Sequence, residues 1–138
     1  MSNIRDILLI IQKLSSVSDL KFVGGTSLFI QGKVSTINDI DVLVDDIREI
    51  SKVYEIVLIE EPIYRFDKRR RGYFIQNNIM IDVFIQENNE DTILVGTQAI
   101  CSTINAQIEF LEKTLSLNIS PERKQNTIAK INYLKTLE

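Results

Sequence analysis

Apolar residues recur along this chain in two rhythms. Between positions 3 and 17, Ile4, Ile7, Leu8, Ile11 and Leu14 stand three and four apart, which predicts an amphipathic helix ending in Ser15-Ser16-Val17-Ser18. Lys21-Phe22-Val23 predicts a short buried strand. Gly24-Gly25 follows at once, and Thr26 to Gln31 predicts the first turns of a helix, so the paired glycines stand at a strand-to-helix turn. Gly32 to Asn38 is a polar connection. Asp39 to Asp45 is the clearest strand, because Ile40, Val42 and Val44 alternate with other residues and share one face. Asp46 to Val53 predicts a helix capped by Asp45 or Asp46. Tyr54 to Leu58 and Ile63 to Phe66 predict two further strands.

The second half reads in the same way. Tyr73-Phe74-Ile75 and Met80 to Ile85 form the arms of a hairpin over residues 72 to 85. Asn77-Asn78 is its turn, since asparagine tolerates positive φ. Thr92 to Val95 predicts a short edge strand. Two helices then run from about Ser102 to the end. The first carries Ile104, Ile108, Leu111 and Leu115. The second opens on Ser120-Pro121-Glu122 (an N-cap, a proline at N1 and an early acid) and carries Ile128, Ile131 and Leu134. No internal repeat or low-complexity linker divides the chain. The pattern predicts one α/β (α+β) domain over residues 1–138, a mixed, partly antiparallel sheet flanked by helices with a C-terminal helical pair.

Composition narrows the chemistry. With 138 residues, 44% of them hydrophobic, the chain can bury a core without a staple. The single cysteine, Cys101, forms no internal disulfide and reads as a small core residue. The absence of histidine removes the usual catalytic triads, imidazole metal ligands and the commonest general base. A metal site must then be built from oxygen, which selects hard cations such as Mg²⁺ or Mn²⁺. The apolar run after Met1 lacks a basic leader and a cleavage site, and no stretch reaches the ~20 residues of a membrane span. A cytoplasmic protein without a membrane partner is expected. The net charge of -3 argues against a broad nucleic-acid-coating surface.

Three pieces carry candidate chemistry: Gly24-Gly25, Asp39-x-Asp41, and Asp82. Asp39 and Asp41 lie two apart on a strand and point to one face. Side-by-side carboxylates repel and lose solvation, and a cation between them turns that cost into binding. Asp82 interrupts the apolar run Ile81-Asp82-Val83-Phe84, where a carboxylate needs a partner or solvent. If its strand lies beside the first, Asp82 joins the other two. Three carboxylates can hold two Mg²⁺ ions about 3.5–4 Å apart, the spacing of two-metal phosphoryl and nucleotidyl transfer. The glycine turn lets backbone N–H groups approach phosphate oxygens, with the Thr26 and Ser27 hydroxyls as added donors.

Val23-Gly24-Gly25, thirteen residues, Asp39-Ile40-Asp41-Val42, and then Ile81-Asp82-Val83 resembles the signature of the DNA polymerase beta-type nucleotidyltransferase superfamily. The longer string from Val23 to Val44 is most similar to the abortive-infection toxin type of small bacterial and archaeal nucleotidyltransferases. The resemblance covers residues 22 to 45 and 79 to 85. It implies the nucleotidyltransferase fold, use of an NTP such as ATP with Mg²⁺, and transfer of a nucleoside monophosphate to an acceptor hydroxyl on tRNA, a protein or a small molecule. It implies Asp39 and Asp41 as shared metal ligands and Asp82 as ligand of the second metal and activator of the acceptor. Gly24, Gly25, Thr26, Ser27 and Lys33 are the implied nucleotide binders. Such relatives often carry a Lys-Asp pair at the start of the last helix, where Lys124 is here followed by Gln125.

Two alternatives stand beside that reading. One is a non-catalytic nucleotide- or partner-binding member of the same fold. The other is the toxin half of a toxin-antitoxin pair, held by an antitoxin-like protein. The basic run Lys68-Arg69-Arg70-Arg71 reads as a solvated hairpin end, or else as a contact for triphosphate or an RNA backbone. Tyr64 and Tyr73 near it read as core, or as platforms for a base.

Overall fold

The computed structural model describes residues 4–64, 69–87, 91–116 and 119–138, without the side chains of 60–64. Helix α1 (Ile4–Leu14) is followed by β1 (Lys21–Phe22), α2 (Gly24–Ile30) and β2 (Ile40–Val44). Strands β3 (Val57–Tyr64), β4 (Arg69–Gln76), β5 (Ile79–Ile85), β6 (Thr92–Val95) and β7 (Ala99–Ser102) come next, and helices α3 (Ile104–Leu115) and α4 (Pro121–Thr136) close the chain. The seven strands form one sheet in the order β3-β4-β5-β2-β1-β7-β6. It is mixed: β2 runs parallel to β5, β1 runs parallel to β7, and the other pairs are antiparallel.

Period-2 alternation divides the sheet into two unlike faces. Ile40, Val42 and Val44 of β2 lie in register with Ile81, Val83 and Ile85 of β5. They pack with Phe22, Phe74 and Ile79 against Ile7, Ile10, Ile11 and Leu14 of α1, in one continuous core. Most of those side chains are shut off from water, and burying each contributes roughly 1.5–3 kcal/mol. A second, smaller core joins Leu28 of α2 to Ile108 of α3 and to Ile131 and Leu134 of α4.

Local signals fixed several elements. Asn77 and Asn78 both take left-handed φ, 52° and 63°, so the two-residue turn joins β4 to β5 as the asparagines predict. Thr103 caps α3 by accepting the Ala106 N–H, and Ser120 caps α4 by accepting the Arg123 N–H, with Pro121 in the first turn. Thr92–Val95 is indeed an edge strand, and Cys101 is a buried core residue.

Other expectations are corrected. The helix expected over Asp46 to Val53 is a turn ending in a single 3-10 helix at Ile50–Lys52; Asp46 spends its carboxylate on Arg48, two residues on, rather than on a helix end. The strands expected at 54–58 and 63–66 are one strand, Val57–Tyr64, and 65–66 lie outside the described residues. Strand β7 went unread because it is a short run leading straight into α3. Ile128 is 43% exposed, and Thr127 takes the buried place beside Ile131 and Leu134. The glycines are not ahead of α2 but inside its first turn.

Candidate active site

The second face of the sheet carries the acids. Parallel pairing sets Asp41 of β2 opposite Asp82 of β5, so their side chains emerge as neighbours on the side away from α1. Asp39 precedes the first residue of β2, Ile40, and is exposed. Burial, then the charges of Asp82 and Asp39, push the Asp41 carboxyl up from 3.8 to about 6, against smaller opposing pulls from Arg71 and Lys130. Asp41 thus feels the charges of both Asp82 and Asp39. Among the described residues, however, no three acidic, Cys or His side chains are grouped as they stand to hold an ion.

The paired glycines have separate roles. Gly24 has φ +55°, and a Cβ there would stand 3.0 Å from Asp41 Oδ2. Only glycine lets the start of α2 lie against that carboxylate without strain. A Cβ on Gly25 meets nothing nearer than Ile37, at 3.9 Å, so that position has room. The Asp41 N–H donates to Thr26 Oγ1 at 2.8 Å, and the Val23 N–H donates to the Asp41 carbonyl at 3.1 Å. These bonds tie α2 to the strand that presents Asp41.

Thr26 and Ser27 are fully buried. Thr26 is engaged with Asp41; Ser27 Oγ donates to the Ser102 carbonyl at 2.6 Å and accepts from Gln31 Nε2 at 2.8 Å. Their hydroxyls are committed to holding α2 on β2 and β7, and sequence spacing could not distinguish that from phosphate binding. Lys33 lines a separate polar hollow with Ser35 and Thr36, and Tyr133 lines both that hollow and the cleft beside Asp41.

A cleft of about 400 Å³ opens beside Asp41. Gly24, Gly25 and Asp41 form one end; Phe84, Phe110, Leu111 and Leu134 supply apolar walls; Arg69, Gln107, Lys130 and Tyr133 supply polar groups. Sequence reasoning missed α3 and α4 as walls of the site, since nothing in a helical period says which cleft a helix closes. Lys130, which no sequence motif singled out, lines the cleft and acts on the charge of Asp41.

The described part of the basic run divides: Arg70 is exposed, whereas Arg69 and Arg71 are drawn into the fold. Lys68 lies outside the described residues. Arg69 to Arg71 begin β4, so alternation turns Arg69 and Arg71 to the acid face and Arg70 to the other. Arg69 is 6% exposed, with its guanidinium 4.3 Å from the Phe110 ring centre and its Nε donating to Gln86 Oε1 at 3.0 Å. Arg71 donates to Asp82 Oδ1. Tyr73 pairs across the strands with Asp82 and is half-buried, while the Tyr64 side chain lies outside the described residues.

No protein-family model matches the chain, and no curated protein matches it. Among the described residues no helix is long and apolar enough to cross a membrane.

Proposed function

We propose that the protein is a divalent-metal-dependent nucleotidyltransferase that moves a nucleoside monophosphate from an NTP to an acceptor hydroxyl. The observation that carries this reading is the side-by-side register of Asp41 and Asp82, with Gly24 against Asp41 and a cleft opening beside them. The oxygen-only donor set suits Mg²⁺ or Mn²⁺. Burial, and after it the charges of Asp82 and Asp39, lift the Asp41 carboxyl, and a bound cation offsets that cost. Asp39, Asp41 and Asp82 are the residues that would hold the ions. A divalent cation there supplies neutralisation of charge on the transferring phosphate and the leaving pyrophosphate.

The chain's own residues do the rest. Gly24 leaves the room that Asp41 needs, and Thr26 holds the Asp41 backbone in place. Lys130 offers a positive charge in the cleft for an anionic substrate, and the Phe84 and Phe110 rings offer apolar wall to a planar base. The sequence resemblance to the beta-type nucleotidyltransferases points the same way and assigns Asp82 to the acceptor side.

One observation favours a second reading, a nucleotide- or partner-binding module without catalysis: Asp82 is engaged by Arg71, and among the described residues no three acids converge. Calorimetric titration of ATP, GTP, CTP and UTP, each with and without Mg²⁺, separates the two. The wild type is expected to bind one or more NTPs only with Mg²⁺ and to release pyrophosphate once an acceptor is supplied. Asp41→Ala is expected to lose both, with its circular dichroism unchanged. Turnover by Asp41→Ala at the wild-type rate would falsify the assignment, and Mg²⁺-dependent binding without pyrophosphate release across tRNA, protein and small-molecule acceptors would favour the second reading.

A further inference from the structure

The pattern that singles out Asp82 gives Arg71 no part. In the sheet, β4 lies on the outer side of β5, with Tyr73 directly opposite Asp82 and Arg71 opposite Phe84. Arg71 therefore stands diagonally from Asp82 on the same face, within reach of a long side chain. Its Nε and a terminal nitrogen both donate to one oxygen, Asp82 Oδ1, at 3.1 and 2.7 Å. The Asp82 side chain is 16% exposed and that of Arg71 38%, so the contact is partly shielded from solvent.

Building on the metal-site reading above, we propose that Arg71 is a built-in counter-ion of the Asp41–Asp82 pair that makes metal and triphosphate bind cooperatively. A carboxylate oxygen offers about two acceptor directions, and Arg71 fills both on Oδ1. A divalent ion on that oxygen would also lie against a guanidinium, two like charges at contact distance. Binding of an ion by Oδ1 and the arginine contact therefore exclude each other. A bare ion that takes Oδ1 must displace Arg71 from it and leave the guanidinium without that oxygen. An ion that arrives with a triphosphate brings its own anion, and the planar fork of Arg71 matches phosphate oxygens as well as it matches a carboxylate. The exchange favours metal and triphosphate together over either alone, which is a coupling free energy between two ligands.

The test is binding, not turnover. Mn²⁺ alone and preformed Mn²⁺–tripolyphosphate are titrated into wild type, Arg71→Gln, Arg71→Lys, Arg70→Gln and Asp41→Ala. Arg71→Gln is expected to bind bare Mn²⁺ about three- to tenfold tighter than wild type and to lose the wild-type preference for the tripolyphosphate complex. Arg71→Lys, which keeps charge and stem but cannot place two N–H groups on one oxygen, is expected between the two; it carries the test should the Gln variant not fold. Arg70→Gln, which removes an equal charge from the opposite face, is expected within about twofold of wild type. Equal affinity for bare Mn²⁺ in wild type and both Arg71 variants, or an equal gain in Arg70→Gln, overturns the role of Arg71. Mn²⁺ binding that is the same in Asp41→Ala as in wild type overturns the metal site itself, and the two failures are thereby distinct.

Discussion

The strands β2 and β5 present one face to α1 and the opposite face to the cleft, and the two faces obey different rules. Ile40, Val42, Ile81 and Val83 turn toward α1, each of them 0% exposed. One residue along, Asp41, Asp82 and Phe84 turn the other way, where Arg71 and Lys130 act on the charge of Asp41. The dry face gains free energy from every methylene it hides. The charged face loses it, because Asp41 is desolvated beside two like charges. A stretch of sheet that gives up stability at neighbouring positions on adjacent strands is where a ligand of opposite charge recovers it.

The sharpest way to break this contrast is to cut into each face and compare. Ile81→Ala should cost about 2–5 kcal/mol, read as a lower urea midpoint, because it opens a cavity in a fully buried site. Asp41→Asn should do the opposite in metal-free buffer. The Asp41 carboxyl is raised from 3.8 to about 6, so its neutral form is the one the fold accepts. The associated stability is present below pH ~4 and lost as pH rises through about 6, since ionisation is then easier in the unfolded chain. At pH 8 the asparagine variant should therefore be more stable than wild type by roughly 1–3 kcal/mol, with the gain vanishing near pH 4. A variant less stable at pH 8, or a gain independent of pH, breaks the claim that this face is strained by its charges.

The glycines give the finest test. Gly24→Ala forces a side chain into positive φ and into Asp41 Oδ2, and should cost about 1–2 kcal/mol along with a measurable loss of Mn²⁺ affinity. Gly25→Ala meets only ordinary contact and should stay within about 1 kcal/mol, or gain slightly from helix propensity. Equal effects of the two would mean that the close approach at Gly24 does not matter.

Much of the fold was legible because local physics wrote it. The asparagine pair forced a hairpin, Ser120-Pro121 opened a helix, and alternation marked β2 with its acids on one side. Where local signals were short or borrowed, the reading failed: Asp46 looked like a helix cap and instead pairs with Arg48, and the four residues of β7 drew no reading at all. The candidate acids were visible for the same reason as β2, since a carboxylate in an apolar run stands out whatever its partners.

The sequence by itself determined which residues are apolar, where the chain turns, and that Asp39, Asp41 and Asp82 need company; these follow from side-chain chemistry and near-neighbour backbone preference. Only the tertiary structure decided who keeps that company. It placed β5 beside β2 in a register that sets Asp82 against Asp41, closed the cleft with α3 and α4, withdrew Thr26 and Ser27 into the fold, and laid Arg71 on Asp82. A period of two or 3.6 residues fixes the face on which a side chain stands, but strand order and register are set by how whole faces bury against one another, and that sum is not carried by any single stretch of chain.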